Sequence, residues 1–508
     1  MRNRMSDKSD ISTLHDLIFS NSQDPASPAI ESPGSDPLTY RDLREQITCT
    51  VRAINDRGLN TTNRIAVVTP NCPATGVLIL SLMTGCVCAP LNPGYTADEY
   101  DRYFAQFRTD AVVVQVNDSP AARTAATRRG IPVIEMVPAQ DLAGRFTLGP
   151  GFTGTGNARF ASPADTAILL QTSGTTSTPK VVPLTHRLIC SVAQRVCSTF
   201  GFTSADRCLH IAPYYHTMGI FGNFIAPLCA GGTVICTRDF IPSDIVPYLR
   251  TCRPTFYSAG PAMHRAIVKE LRKVPRGKLQ GNSLRFIRSA SAALPDPLRD
   301  ELEQLLGVPL IETYGMSEVG GAISTNLPPA KRGSVGRPVI EQLAILDERG
   351  TVLRPFEDGE IAVKGDVVFG GYDDDPEGNA ALFMDGWFRT GDIGYLDDEG
   401  YLYLTGRKKE VINKGGEKIS PVEIDDVLMR HPSVEDAMSF RIDDPALGED
   451  IAAMVVGKNP PPSVGELRNY LLDHLSPQKI PRKIWFVDTI PRTANGKPLR
   501  YAGTRRYS

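Results

Sequence analysis

Between about residues 38 and 340, short runs of branched apolar residues alternate with stretches of helical period, and this alternation constrains the fold more than any other feature. Strands are expected at 65–68, 111–114, 133–134, 167–170, 234–235 and 286–287. Short apolar strands separated by amphipathic helices pack as largely parallel sheets with helices on their faces, so the expected class is α/β. One intervening helix is fully specified. Thr96 and Glu99 form a capping box, and Tyr100, Tyr103, Phe104 and Phe107 recur at helical spacing as core residues. The longest apolar stretch, 76–91, is broken by Ser81, Thr84, Gly85 and Pro90, so it reads as a buried helix turning into a strand.

After residue 340 the texture changes to short strands punctuated by turn signals at 347–350 and 397–400, the pattern of a β-rich subdomain over 341–406. Beyond it an α+β unit is expected. Its first helix is signposted by Ser420 as N-cap, Pro421 at the first position and Glu423 closing a box, followed by strands at 437–442 and 451–456 and a helix near 466–475. The 508 residues exceed one compact core. The division expected is a disordered tail over 1–10, an N-terminal domain over 11–406 and a small C-terminal domain over 410–508, joined through 407–409.

A net charge of −2 with 22% charged and 41% hydrophobic residues gives no reason to expect a nucleic-acid partner or a membrane span. The first eight residues lack the apolar core of a signal peptide, the ten cysteines sit mostly in apolar runs without CxxC spacing, and a cytoplasmic monomer or homodimer with reduced thiols is expected.

The chemistry concentrates in six motifs. The apolar run 166–170 leads into Gln171-Thr172-Ser173-Gly174-Thr175-Thr176-Ser177-Thr178-Pro179-Lys180, a hydroxyl-rich loop able to wrap a polyphosphate. It is not a Walker A loop, because Pro179 precedes the lysine and Val181 follows it. Next come Tyr214-Tyr215-His216-Thr217-Met218-Gly219, then Arg288-Ser289-Ala290-Ser291-Ala292-Ala293, whose small residues let a flat ring approach the backbone. In Glu312-Thr313-Tyr314-Gly315-Met316-Ser317-Glu318 an aromatic can cover that ring and a carboxylate can hold a hard cation. Asp392 stands on a glycine turn, Arg407-Lys408-Lys409 marks the domain junction, and Lys497 follows a glycine turn near the C-terminus.

Together and in this order, across nearly the whole chain, these motifs resemble the signature of the ANL superfamily, which comprises acyl-CoA synthetases, adenylation domains of nonribosomal peptide synthetases, and luciferases. The resemblance implies ATP-dependent conversion of a carboxylic acid to an acyl adenylate, release of pyrophosphate, and transfer to a thiol. It implies Lys497 bridging carboxylate and α-phosphate, Glu318 holding Mg²⁺, and Thr172, Ser173, Gly174, Thr175, Thr176 and Lys180 containing the phosphates. Tyr314 would cover the adenine, with Ser291, Ala292, Gly315, Met316 and Ser317 lining its site, while Asp392 and Arg407 would fix the ribose. His216 and Thr172 join Lys497 and Glu318 as catalytic candidates. The family rotates its C-terminal domain between half-reactions, which implies a hinge at Lys409 and a thiol channel lined by Gly415 and Gly416.

Three positions depart from the family pattern: Ser177 and Ala290 stand where glycine is usual, and Asn413-Lys414 alters the spacing after the hinge. The acyl pocket is expected from Tyr215, His216, Met218, Gly219, Ser258, Ala259, Gly260, Gly320 and Gly321. Local wording around 412–421 resembles oxalate- and fatty-acid-type CoA ligases, and the small apolar residues after Glu318 suggest an aliphatic or aryl acid rather than oxalate. The chain ends eleven residues after Lys497, so the thiol is expected from CoA or from the phosphopantetheine of a separate carrier protein. A non-catalytic nucleotide-binding homologue is the rival reading, opposed by intact Lys497, Glu318, Asp392 and Arg407.

Overall fold

The computed structural model describes residues 11–20, 23–149, 156–172, 180–275, 279, 281–493 and 496–507. The tail expected over 1–10 and the loop residues Ser173, Gly174, Thr175, Thr176 and Ser177 lie outside the described residues. Two large sheets dominate. The first has seven strands in the spatial order Phe146–Leu148, Val133–Pro138, Ala111–Gln115, Arg64–Val68, Val87–Pro90, Thr166–Gln171 and Val181–Thr185. Its central pairings are parallel and its two outer pairings antiparallel. The second has nine strands, and its parallel centre runs Leu310–Met316, Phe286–Ser289, Phe256–Ala259, Arg207–His210, Thr233–Cys236 and Pro28–Glu31.

The helix Pro73–Gly85 is buried along its whole length after Pro73. A helix apolar on every side can only sit inside, and Val77, Leu78 and Met83 share one cluster with Ile65 and Ile168 of the first sheet and Ile30 and Val234 of the second. The helix expected from Thr96 is Ala97–Gln106 with both halves of its capping box formed.

The 341–406 region is an antiparallel five-stranded sheet built from Gln342–Leu346, Gly359–Lys364, Phe383–Met384, Trp387–Leu396 and Leu402–Arg407. The C-terminal unit packs Val434–Asp444 against Gly448–Gly457, with Lys483–Phe486 added in parallel and helices Pro421–Arg430 and Val464–Leu472 beside them. Among the described residues no helix is long and apolar enough to cross a membrane, and the ten cysteines are free.

One local expectation fails. Ser420 precedes the helix Pro421–Arg430 but makes no side-chain capping bond, and its Oγ is buried without a partner. Glu423 turns its carboxylate to Lys479 instead, both oxygens accepting from Nζ at 2.7 and 2.8 Å. Tight packing explains the rest: a Cβ on Gly406 would lie 2.8 Å from Ser420 Oγ, so that hydroxyl is pressed against the neighbouring strand.

Arg500, at the start of the final helix Arg500–Tyr507, ties this unit together by pairing with Glu410 at 2.9 Å and Asp425 at 2.7 Å. Removing one partner of a buried ion cluster leaves uncompensated charge, so Arg500→Ala is expected to destabilise the C-terminal unit by about 3–5 kcal/mol. Urea unfolding followed by tryptophan fluorescence checks this. The loss should shrink towards acid pH, because burial already raises the Asp425 pKa and a protonated Asp425 no longer needs the cation.

Candidate active site

The strand Leu310–Met316 leaves the nine-stranded sheet carrying Tyr314, and the next residue has no freedom to be anything but glycine. A Cβ on Gly315 would lie 1.8 Å from the carbonyl oxygen of Gly321, so the antiparallel return strand Gly321–Thr325 closes only over a bare backbone. Tyr314, 9% exposed, donates its hydroxyl to Asp392 Oδ2 at 2.6 Å. Arg407 Nε meets the other oxygen of the same carboxylate at 2.8 Å. Asp392 and Arg407 are directly opposed in the antiparallel ladder between Trp387–Leu396 and Leu402–Arg407, which is why residues fifteen apart in sequence meet.

These groups border a cavity of about 390 Å³ that also includes Ser291, Ala292 and Lys497. Ser291 has φ of +77°, a left-handed conformation that costs a serine strain. The departure at Ala290 is therefore one residue away from the strained position. Lys497 enters from the C-terminal unit on a turn in which its N–H donates to Thr493 Oγ1 at 3.1 Å and Gly496 takes φ of +79°. Its amine is pulled down to about 8, first by burial and then by Arg407, against the opposing pull of Asp392, Glu318 and Glu410.

Glu318 stands outside the lining of that cavity, on the short turn Ser317–Val319, 5% exposed. Burial raises its carboxyl pKa, and the Tyr372 hydroxyl, donating to Oε1 at 2.7 Å, opposes the rise. Met316 and Ser317, half-buried, connect it to Gly315. Thr172 and Lys180 clasp the two ends of the hydroxyl loop: Thr172 N–H donates to Lys180 O at 2.9 Å, and Lys180 N–H to Thr172 Oγ1 at 3.0 Å. Lys180 Nζ pairs with Asp375 at 2.7 Å and lies 4.5 Å from the Tyr372 ring centre. Tyr372 and Asp375 were not among the sequence candidates. The available signal was the run Gly370-Gly371-Tyr372-Asp373-Asp374-Asp375, glycines followed by concentrated carboxylates.

No group of three or more His, Cys, Asp or Glu side chains among the described residues could hold a metal. A single buried carboxylate suits Mg²⁺, which keeps most of its water and arrives with phosphates, better than an ion needing a protein cage.

The expected acyl residues do not all converge. His216 and Tyr215 are in edge contact with ring centres 4.4 Å apart, just before the π-type helix Met218–Ile225. Gly219 is obligatory there, since a Cβ would lie 2.1 Å from Pro213 O. Tyr215 borders a separate cavity of about 280 Å³ with Thr69, Asn71 and Met263. Ser258 is buried on the strand Phe256–Ala259, but Ala259 packs with Tyr257 and Ile287 in the cluster on the other face. Gly260 is the N-cap of the helix Pro261–Leu271. Gly320, with φ of +65°, would direct a Cβ to within 2.7 Å of Val192 and 3.1 Å of Leu188. A large residue at 320 therefore overpacks the helix His186–Phe200 instead of shortening an acyl pocket, and Gly321 borders neither cavity.

Gly415 and Gly416, with φ of +59° and +96°, are the two-residue turn of the exposed hairpin between Ile412–Lys414 and Glu417–Ile419, away from the Lys497 cavity. Two successive positive φ values require glycine here for the turn alone. Lys409 is exposed in the turn after Arg407, between Lys408, whose N–H donates to Gly391 O, and Glu410, whose N–H donates to Arg407 O.

The Gly315 contact gives a direct test. Gly315→Ala must separate the two strands and displace Tyr314 from Asp392, an overpacking cost of about 1–3 kcal/mol or more. Thermal unfolding should shift down, and binding of ATP by calorimetry should weaken in the same variant.

Residues 19–373 match the AMP-binding enzyme family and residues 423–497 match the AMP-binding enzyme C-terminal domain. The chain is 33% identical to an oxalate–CoA ligase of Arabidopsis thaliana, over 93% of this chain and 94% of that protein. It is 34% identical to a sulfoacetate–CoA ligase of Cupriavidus necator, over 94% of each. Its fold superimposes on ATP-bound MatB from Rhodopseudomonas palustris with a TM-score of 0.89 at 28% identity, covering 98% of this chain and 99% of that one. The o-succinylbenzoate CoA synthetase of Bacillus subtilis in complex with its acyl-adenylate intermediate gives 0.84 at 26% identity, covering 96% and 97%. With the buried Tyr314–Asp392–Arg407 arrangement and Lys497 at one cavity, the chain belongs to the AMP-binding enzymes, the adenylate-forming ligases.

Proposed function

We propose that this enzyme activates a carboxylic acid with ATP and passes the acyl group to CoA. The observation that carries the reading is Lys497, a cation brought from the C-terminal unit to the cavity bounded by Tyr314, Asp392 and Arg407. A carboxylate oxygen of the acid attacks the α-phosphorus, the bond from that phosphorus to the bridging oxygen of the β-phosphate breaks, and pyrophosphate leaves. The thiol sulfur then attacks the acyl carbon, the carbon–oxygen bond to phosphate breaks, AMP departs, and the thiol proton is lost to solvent.

Two anions must meet in the first step. Unit charges about 4 Å apart repel by on the order of 4 kcal/mol at an effective dielectric near 20, so a cation preorganised at the α-phosphate has a large effect. Lys497 serves there, Asp392 and Arg407 hold the ribose, Tyr314 covers the base with Ser291 and Ala292 beneath it, and Thr172 and Lys180 flank the phosphates. Bound Mg²⁺, held by Glu318, would supply charge neutralisation on the departing phosphates. Relatives named as CoA ligases support CoA as acceptor. A carrier-protein phosphopantetheine is the second acceptor of the same chemistry.

The domain reading follows from the same lysine. Lys497 occupies the nucleotide cavity while the Gly415–Gly416 turn stands apart from it, an arrangement that suits adenylation and not thiol entry. A body of 11–406 and a mobile unit of 410–508, turning about Lys409, accommodate both steps in one enzyme.

Lys497→Ala is expected to slow adenylation by about 10² to 10³ while leaving thiolysis of a supplied acyl adenylate largely intact. Loss of both half-reactions together overturns the two-position reading. Because the Lys497 amine sits near 8, the cation predominates below that pH and is lost as pH rises through it. The pH profile of kcat/KM for ATP should therefore fall above about pH 8, and this limb should be missing from Lys497→Ala. Lys409→Pro, with φ locked near −65°, should keep pyrophosphate exchange and lose thioester formation, read by separate assays of the two steps.

A further inference from the structure

On the strand Phe286–Ser289, Phe286 joins the cluster containing Cys208 and Phe256, whereas Ile287 joins Tyr257 and Ala259 on the opposite face. Arg288 follows Phe286 onto the first face and is 4% exposed. Its Nε and Nη1 are buried and have no hydrogen-bond partner. None of the ion pairs among the described residues includes it, and the Phe200 ring faces it with its centre 4.1 Å from the guanidinium carbon. Burial lowers its pKa to about 10, which leaves it a cation at neutral pH. A guanidinium kept in an apolar interior without a paired counter-ion is a persistent cost, which a bound anion would offset.

The neighbours indicate where that anion enters. Gly222 lies on the π-type helix that begins two residues after His216, and a Cβ there would sit 3.2 Å from Arg288 Nη1, so glycine keeps that side of the guanidinium open. Ser258 is the ladder partner of Arg288, and its Oγ is likewise buried and unpartnered. Three residues beyond Arg288 on the same segment, Ser291 and then Ala292 border the nucleotide cavity. Arg288 thus lies beside the helix that follows His216, on the strand whose continuation borders the nucleotide cavity, while lining neither described cavity itself.

We propose that Arg288 is a specificity-determining residue of the acid site and that the substrate carries, besides the reacting carboxylate, a second anionic group that this guanidinium binds. The inference rests on the adenylate-forming reading and replaces the expectation of a plain aliphatic or aryl acid. The small residues following Glu318 leave the second group of the acid unspecified, because the cation is supplied by a strand 30 residues earlier in sequence. A carboxylate or sulfonate can take the planar fork of the guanidinium through two oxygens, with the Ser258 hydroxyl as an additional donor.

The test uses the purified full-length enzyme with ATP and Mg²⁺, measuring acid-dependent pyrophosphate release for oxalate and sulfoacetate, each against acetate, malonate against propionate, and succinate against butyrate. A site built around a buried cation should favour at least one dianion over its monoanionic partner by about 10²-fold or more in kcat/KM. Arg288→Met should raise KM for that dianion by a similar factor, leave KM for ATP unchanged, and shift the ratio towards the monoacid. Arg288→Lys should restore part of the preference. The wild-type panel stands even where a variant fails to fold, and ATP binding by calorimetry identifies such a variant. Monoacids turned over as well as every dianion, or a folded Arg288→Met that keeps the dianion preference, overturn the proposal while leaving the ligase reading intact. Absence of pyrophosphate release with all acids overturns both.

Discussion

The Asp392 carboxylate is the point on which the site depends, because it accepts from two different elements at once. Tyr314 comes from the nine-stranded sheet and Arg407 from the last strand of the antiparallel subdomain, and each takes one oxygen. A buried carboxylate bonded on both sides by a phenol and a guanidinium holds its partners in register more firmly than an exposed pair does. Arg407 is also the last residue of its strand, so the geometry that anchors the subdomain sets where the chain departs for the C-terminal unit.

Much of this was legible from local pattern. The capping box at Thr96 and Glu99, the apolar strands and the buried helix Pro73–Gly85 depend on residues within one or two turns of each other, where period and propensity decide. The failures share a different physical origin. Ser420 and Glu423 satisfy the local rule, but Lys479, 56 residues away, takes both carboxylate oxygens. Gly320 looks like a gap beside a pocket, yet its φ of +65° aims the missing side chain at Val192 on another helix. Tyr372 orders Glu318 across 54 residues, a separation that no spacing argument covers.

Small residues in the site therefore have distinct causes. Gly315 is required by a backbone passing where a Cβ would be, and Gly415 and Gly416 by a hairpin turn. Ser291 is the contrasting case. A serine held at φ of +77° beside the cavity that holds Lys497 means that the surrounding structure imposes a conformation its own side chain disfavours. Steric necessity, turn geometry and imposed strain all appear in sequence as the same undifferentiated run of glycine, serine and alanine.

The charges around Lys497 supply the remaining link between structure and a two-step reaction. Burial and Arg407 weaken its hold on a proton, and Asp392, Glu318 and Glu410 only partly compensate, so the cation is held there at a cost. On the adenylation reading, an incoming polyphosphate reverses that balance and favours the position in which Lys497 is inserted. Departure of pyrophosphate removes most of the negative charge and with it most of the attraction. On the same reading, a cation that is costly to bury alone and favourable beside a polyphosphate would couple the position of the C-terminal unit to nucleotide state through electrostatics.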